Sequence, residues 1–240
     1  MSLYEQYQST PQSAFHTPVH AAERITVFLR AVYGWMCAGL AVTAVTAMYV
    51  ASSEAMVTAI VTNRLLFFGL IIAQLGIVFY LSARVEKLSG STASWLFVAY
   101  SALTGVTISF VLLLYTGTSV ATTFMVTAGM FGSMAVYGTV TQRSLAGWGQ
   151  FLFMGLIGVI LASIVGIFWQ SSALQFVISF VGVIVFTGLA AYDAQRLKGM
   201  ALAIPEGKFG SYAVVGALAL YLDFINLFLF LLRFLGTRRD

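Results

Sequence analysis

Gly216-Ala-Leu-Ala-Leu-Tyr-Leu-Asp-Phe-Ile-Asn-Leu-Phe228 is the stretch on which the reading of this chain turns. It lies in an apolar run from Tyr212 to Leu235, and about 20 apolar residues in a helix cross the hydrocarbon of a bilayer. Yet the run carries a carboxylic acid, Asp223, and an amide, Asn226, three residues apart and so on one helical face. An acid near the middle of such a helix costs roughly 2.5–3.5 kcal/mol on insertion scales. The stripe must therefore point into a bundle of other helices, and the acid is a functional candidate by default.

The rest of the chain supplies those helices. Six further apolar segments have spanning length: Ala31 to Ala51, Leu65 to Leu81, Ser94 to Tyr115, Ser119 to Tyr137, Phe151 to Trp169 and Leu174 to Tyr192. Their connections are short, so consecutive helices are expected to be antiparallel neighbours. Hydrophobic residues make up 60% of the 240 and charged ones 8%, and the mean hydropathy is +0.94. A soluble domain carries roughly 25% charged residues, so this is an all-α integral membrane protein of seven transmembrane helices. A polar N-terminal tail over residues 1–23, with Pro11 and Pro18, is expected to precede a seven-helix domain over 24–240. Stretches rich in small residues, Leu103 to Ser109 and Ala128 to Ser133, are read as packing seams.

Charge placement bears on partners and orientation. The formal charge is +4, but the basic residues flank apolar runs, so they are expected to meet lipid phosphates and not nucleic acid. With the N-terminus cytoplasmic, Arg24, Arg30, Arg84, Lys87, Arg143, Arg196, Lys198 and Lys208 all fall inside, as the positive-inside rule requires. An odd number of spans then places Arg233, Arg238 and Arg239 outside, unless the last segment stops short of crossing. One cysteine, Cys37, and the absence of an Asn-x-Ser/Thr sequon suit a bacterial inner membrane.

Of eight acids, Glu5, Glu23, Glu54, Glu86, Glu206 and Asp240 lie in tails or loops. The other two are Asp223 and Asp193, which closes the sixth run in Ala190-Ala-Tyr-Asp-Ala-Gln-Arg196. The two can meet only if the last helix starts early. Counted from Tyr212, Asp223 lies about 17 Å along the helix, whereas a window from Gly216 to Leu235, with Pro205 to Val215 as a helical extension, brings it to about 10 Å. Two carboxylates in one low-dielectric site retain a proton, take up a cation or recruit an arginine, because both cannot ionise cheaply. Arg84, at the cytoplasmic end of the second span, is the arginine best placed to close over them.

The segments Tyr80-Leu-Ser-Ala-Arg-Val85, Ala102-Leu-Thr-Gly-Val-Thr-Ile-Ser109, Phe131 with Gly132 leading to Tyr137-Gly138, Ala191-Tyr-Asp-Ala-Gln195 and above all Gly216 to Phe228 resemble the transmembrane Bax inhibitor motif family, in a bacterial-type member. The resemblance implies six helices wrapped around a central C-terminal one. It also implies a pH-sensitive passive calcium leak, with Asp193 and Asp223 as proton sensor and ion contact and Arg84 as latch. Calcium would be the transported species and no cofactor is implied. Partners would be membrane lipids, calcium ions and protons. One departure is Ser144, at a position often acidic in relatives.

Two rivals use the same acids. A diaspartyl intramembrane protease would place Tyr192-Asp193 and Asp223 alike, but the Gly-x-Gly-Asp signature is missing, Leu220, Tyr221 and Leu222 preceding Asp223. A proton-coupled secondary transporter usually interrupts helices at midplane, and none of these spans holds a proline. His16 and His20 are spaced as metal ligands, but Pro18 lies between them in the tail. Too few acids are present for a tight calcium site, whereas weak contact is what conduction needs.

Overall fold

The computed structural model describes residues 18–169 and 171–239. Most of the expected polar tail, His16 included, therefore lies outside the described residues. The described end of it is helical, because α1 runs from Pro18 to Ala51. Proline suits a first helical position, where its missing N–H has no partner to lose. After α1 come α2 (Glu54–Thr62), α3 (Arg64–Arg84), α4 (Gly90–Leu114), α5 (Gly117–Val140), α6 (Ala146–Phe168), α7 (Ser172–Met200) and α8 (Phe209–Leu235).

Seven of these are long and apolar enough to cross a membrane, and α2 is a nine-residue helix between the first two. Each spanning helix covers its expected segment to within a residue, and most run further. Hydropathy locates the part of a helix that lipid accepts, whereas capping decides where it ends. Ser53, Asn63, Ser89, Thr116 and Ser171 each accept a backbone N–H from three residues on, starting α2 to α5 and α7.

α8 is the most enclosed helix: 67% of its apolar window is buried, against 39% for α4 and α7. It packs against α1, α4, α5 and α7 and touches α3. By contrast α6 packs on α7 and α3 mainly on α4, and both face outward along most of their length. Leu103 to Ser109 is a true seam. A Cβ on Gly105 would lie 2.6 Å from the Thr43 carbonyl oxygen, so α1 and α4 approach to backbone contact there. Ala128 to Ser133 is not the seam it was expected to be, since Gly129 and Gly132 have open space where a Cβ would stand and Ser133 is exposed. The packed face of α5 is Thr123, Thr127, Phe131, Ala135 and Gly138. Small residues serve lipid-facing surfaces as well as seams, and composition alone does not separate the two.

The last helix runs the full length of the bundle. Beyond it, the Thr116 N–H donates to the Thr237 carbonyl (3.1 Å), the Arg239 N–H to the Leu114 carbonyl (3.0 Å) and the Thr237 N–H to Ser119 Oγ (2.8 Å). The C-terminal strand of chain is thereby pinned to the α4–α5 turn, at the opposite end from Arg84, Arg143 and Lys208.

Candidate functional site

Antiparallel packing of α7 and α8 sets the register of the two acids. Leu197 covers Gly216, and the rings of Phe186 and Phe230 stack with centroids 5.7 Å apart. These two contacts bracket Asp193 and Asp223 and put them in one layer. The depth mismatch disappears because α8 begins at Phe209, about 21 Å of helix before Asp223. Its first turn extends past the end of α7, with Phe209 edge-on to Phe28 of α1 and Gly210 against Gly90 of α4. The expected extension over Pro205 to Val215 is thus helical from Phe209 on.

Both acids line a cavity of about 550 Å³ between α6, α7 and α8. The cavity exists because α6 rests on α7 and leaves a gap to α8. Its polar lining is Asp193, Asp223, Asn226, Gln150, Tyr192 and Arg196; Phe153, Leu156, Phe186, Leu189 and Leu222 make the apolar wall. Asp223 is 5% exposed, and its Oδ2 is buried with no hydrogen-bond partner among the described residues. Asn226 donates through Nδ2 to the Leu222 carbonyl (2.8 Å), which leaves its amide oxygen available. A smaller cavity of about 250 Å³ between α3, α7 and α8 shares Asp193, Arg196, Ala219 and Leu222 with the first, so Asp193 stands at the partition between them.

Arg84 does not line either cavity; it sits exposed at the end of α3, while its neighbours Ser82 and Val85 line the smaller one. The guanidinium at the site is that of Arg196, with Nη1 3.7 Å from Asp193 Oδ1. Arg196 is 59% exposed and Asp193 15%, so the guanidinium marks the exposed end of the site and Asp193 lies further in. The spacing of three between Asp193 and Arg196 on one helix was the sequence signal for it.

Two residues beyond the site hold its walls. Gln195 accepts from the Leu145 N–H (2.7 Å) and donates to the Arg143 carbonyl (2.9 Å), while Lys198 Nζ donates to the Thr139 carbonyl (2.7 Å). These bonds fasten the end of α5 and the α5–α6 connection to α7 through backbone atoms, and within the connection Ser144 Oγ accepts from the Ala146 N–H (3.3 Å). A Cβ on Gly149 would run into the Tyr192 ring, and one on Gly138 into the Ala191 carbonyl, so α6 and α5 both close onto the turn before Asp193. Among the described residues no three His, Cys, Asp or Glu side chains gather where they could hold a metal ion.

Comparison with known proteins bears out the family resemblance. The family described as inhibitor of apoptosis-promoting Bax1 matches residues 25–240. Inner membrane protein YbhL of Escherichia coli K12 is 50% identical over 218 residues, 90% of this chain and 93% of that protein. A protein of Borreliella burgdorferi is 46% identical over 89% of this chain and 93% of its own length, and one of Deinococcus radiodurans 44% over 91% and 93%.

Proposed function

The chain belongs to the Bax-inhibitor family, and from that premise we propose that it is a passive, pH-sensitive cation leak for calcium, with Asp193 and Asp223 as proton sensor and weak ion contact. The observation that carries the reading is the shared cavity: two acids from neighbouring spans, one with a buried and unpartnered oxygen, line a single space. Two carboxyls so placed hold a proton or a cation between them, and exchange of one for the other couples pH to conduction. Carboxylate and amide oxygens are what a hard cation prefers, and the Asn226 oxygen adds a third contact.

The placement that goes with this function is a bacterial inner membrane, in keeping with the name of the relative YbhL, with the N-terminus cytoplasmic. Eight of the twelve Lys and Arg residues then face the cytoplasm and four, Arg64, Arg233, Arg238 and Arg239, lie outside. The other six spans are arranged about α8 as the hub. Arg84 acts as latch only if the end of α3 swings toward Asp193; Arg196, 3.7 Å from Asp193, is the arginine already beside it.

Calcium efflux from vesicles holding the purified protein tests the proposal, read across roughly pH 5 to 8 for the wild type, Asp193→Asn and Asp223→Asn. A pH-dependent leak that becomes flat in both variants supports it. Unchanged flux and unchanged pH dependence in both would end it. Cleavage of a transmembrane peptide that both variants lose would instead favour the diaspartyl protease.

A further inference from the structure

The larger cavity has two chemically different ends and an open side. At its inner end are Asp223, with its unpartnered Oδ2, Asp193 and the free oxygen of Asn226. At its outer end are Arg196 and the first turn of α6, represented by Ala146, Gly149 and Gln150. That helix starts at Leu145 without a cap from that side chain; the Leu145 and Ala146 N–H groups are held by Gln195 and Ser144, so what its N-terminus offers the cavity is the positive end of its dipole. Between the ends the wall is apolar, and outward from it along α6 stand Phe153 and Ile157, both exposed. In a membrane that outward face meets acyl chains.

We infer that the α6–α8 cavity binds the headgroup of a membrane phospholipid bearing a primary ammonium, of the phosphatidylethanolamine type. The phosphate sits at Arg196 and the α6 N-terminus, the ammonium reaches inward to Asp223, Asp193 and Asn226, and the acyl chains run along the outer face of α6. Charge complementarity selects this occupant. An anionic headgroup matches the outer end and opposes the inner one. A choline headgroup has the right charges but no N–H to give the unpartnered carboxyl oxygen, whereas a primary ammonium has three. The volume suits the whole headgroup, since ligand cavities fall in the range of roughly 300–1,000 Å³. Arg196 Nη1 and Asp193 Oδ1 are 3.7 Å apart and paired with each other, so a bound headgroup would exchange that pair for its own two charges, phosphate to Arg196 and ammonium to Asp193. The inference deepens the leak reading in that such a lipid would occupy the ion's own contacts, but the binding itself does not depend on conduction.

The test is lipid retention. Full-length protein is reconstituted in phosphatidylcholine vesicles containing phosphatidylethanolamine or phosphatidylglycerol at equal mole fraction, re-extracted, and its bound lipids counted by native mass spectrometry. The expected result is a several-fold preference for phosphatidylethanolamine over both others, lost in Asp223→Asn and weakened in Arg196→Ala. Asp193→Asn carries the test should Asp223→Asn fail to fold. Equal retention of the three lipids, or a preference undiminished in the folded carboxamide variants, would overturn it. Calcium efflux is read separately in vesicles of phosphatidylcholine alone. Lipid preference without efflux removes the leak and keeps this site, and efflux without lipid preference does the reverse.

Discussion

The hydroxyl oxygens of Thr43 and Tyr221 lie 2.6 Å apart at the centre of the bundle, joining helices that are 178 residues apart in the chain. Thr43 Oγ1 also donates to the Ser101 carbonyl (2.8 Å), so its single hydrogen is committed and the tyrosine hydroxyl is the donor between them. Three helices, α1, α4 and α8, meet in this chain of two bonds. The Tyr221 ring is fully buried and packs edge-on against Phe97 and Tyr100, on the face of α8 turned away from Asp223.

Tyr221→Phe removes one donor and leaves the ring in place. Its expected cost is about 1 kcal/mol, the net worth of a typical hydrogen bond. Thr43→Val strands the tyrosine hydroxyl and is expected to cost more, roughly 1–3 kcal/mol. Thermal unfolding in detergent ranks the two. Calcium efflux and its pH dependence should stay as in the wild type for Tyr221→Phe, because Asp223 lies on the other face.

Gly138 and Gly132 form a matched pair on one helix. Gly138→Ala drives a methyl into the Ala191 backbone, so α5 must separate from α7, at an expected cost of about 1–3 kcal/mol. Gly132→Ala has open space and gains helix propensity of up to about 1 kcal/mol. Melting temperatures should therefore move in opposite directions; a loss of similar size in both would contradict the close α5–α7 contact.

The two arginines near the site separate by experiment. Arg196→Ala removes a guanidinium that is more than half exposed, so stability should change by no more than about 1 kcal/mol. The pH profile of calcium efflux should nonetheless shift, since Asp193 loses its neighbouring charge. Arg84→Ala is expected to leave the profile closer to wild type. The reverse order would return the latch to Arg84 and require α3 to move.

The C-terminal tail is expected on the opposite side of the membrane from the N-terminus. A reporter active only outside the cytoplasm, fused after Asp240, should be active, and the same reporter fused before Met1 silent. Deleting residues 237–240 removes all three hydrogen bonds to the α4–α5 turn, two made by Thr237 and one by Arg239, and should lower the melting temperature by a few degrees.

How much of this was legible beforehand follows from the chemistry of each element. Long apolar runs state their own requirement, because in lipid every backbone polar group must be satisfied within the segment, so seven spans could be placed from hydropathy. Asp223 announced itself for a related reason, as an acid that lipid would not solvate. Arg196 showed only through its spacing of three from Asp193, and Gln195 was hidden. In sequence they are ordinary interfacial polar residues, and only the proximity of the α5–α6 connection shows Gln195 bonded to Leu145 and Arg143.

The sequence by itself determined that this chain spans a membrane seven times, that it belongs with its family, and that one acid, Asp223, stands where an acid is costly while a second, Asp193, closes an apolar run. Those are local properties, set by what each segment can bury and by which residues follow one another. Only the tertiary structure decided that Asp193 and Asp223 share one cavity. That outcome rests on the α7–α8 register, fixed by Leu197 over Gly216 and Phe186 against Phe230, and on α6 leaning on α7 and leaving a gap beside α8. Register and helix spacing arise from contacts between side chains far apart in sequence, so no reading of either helix alone contains them.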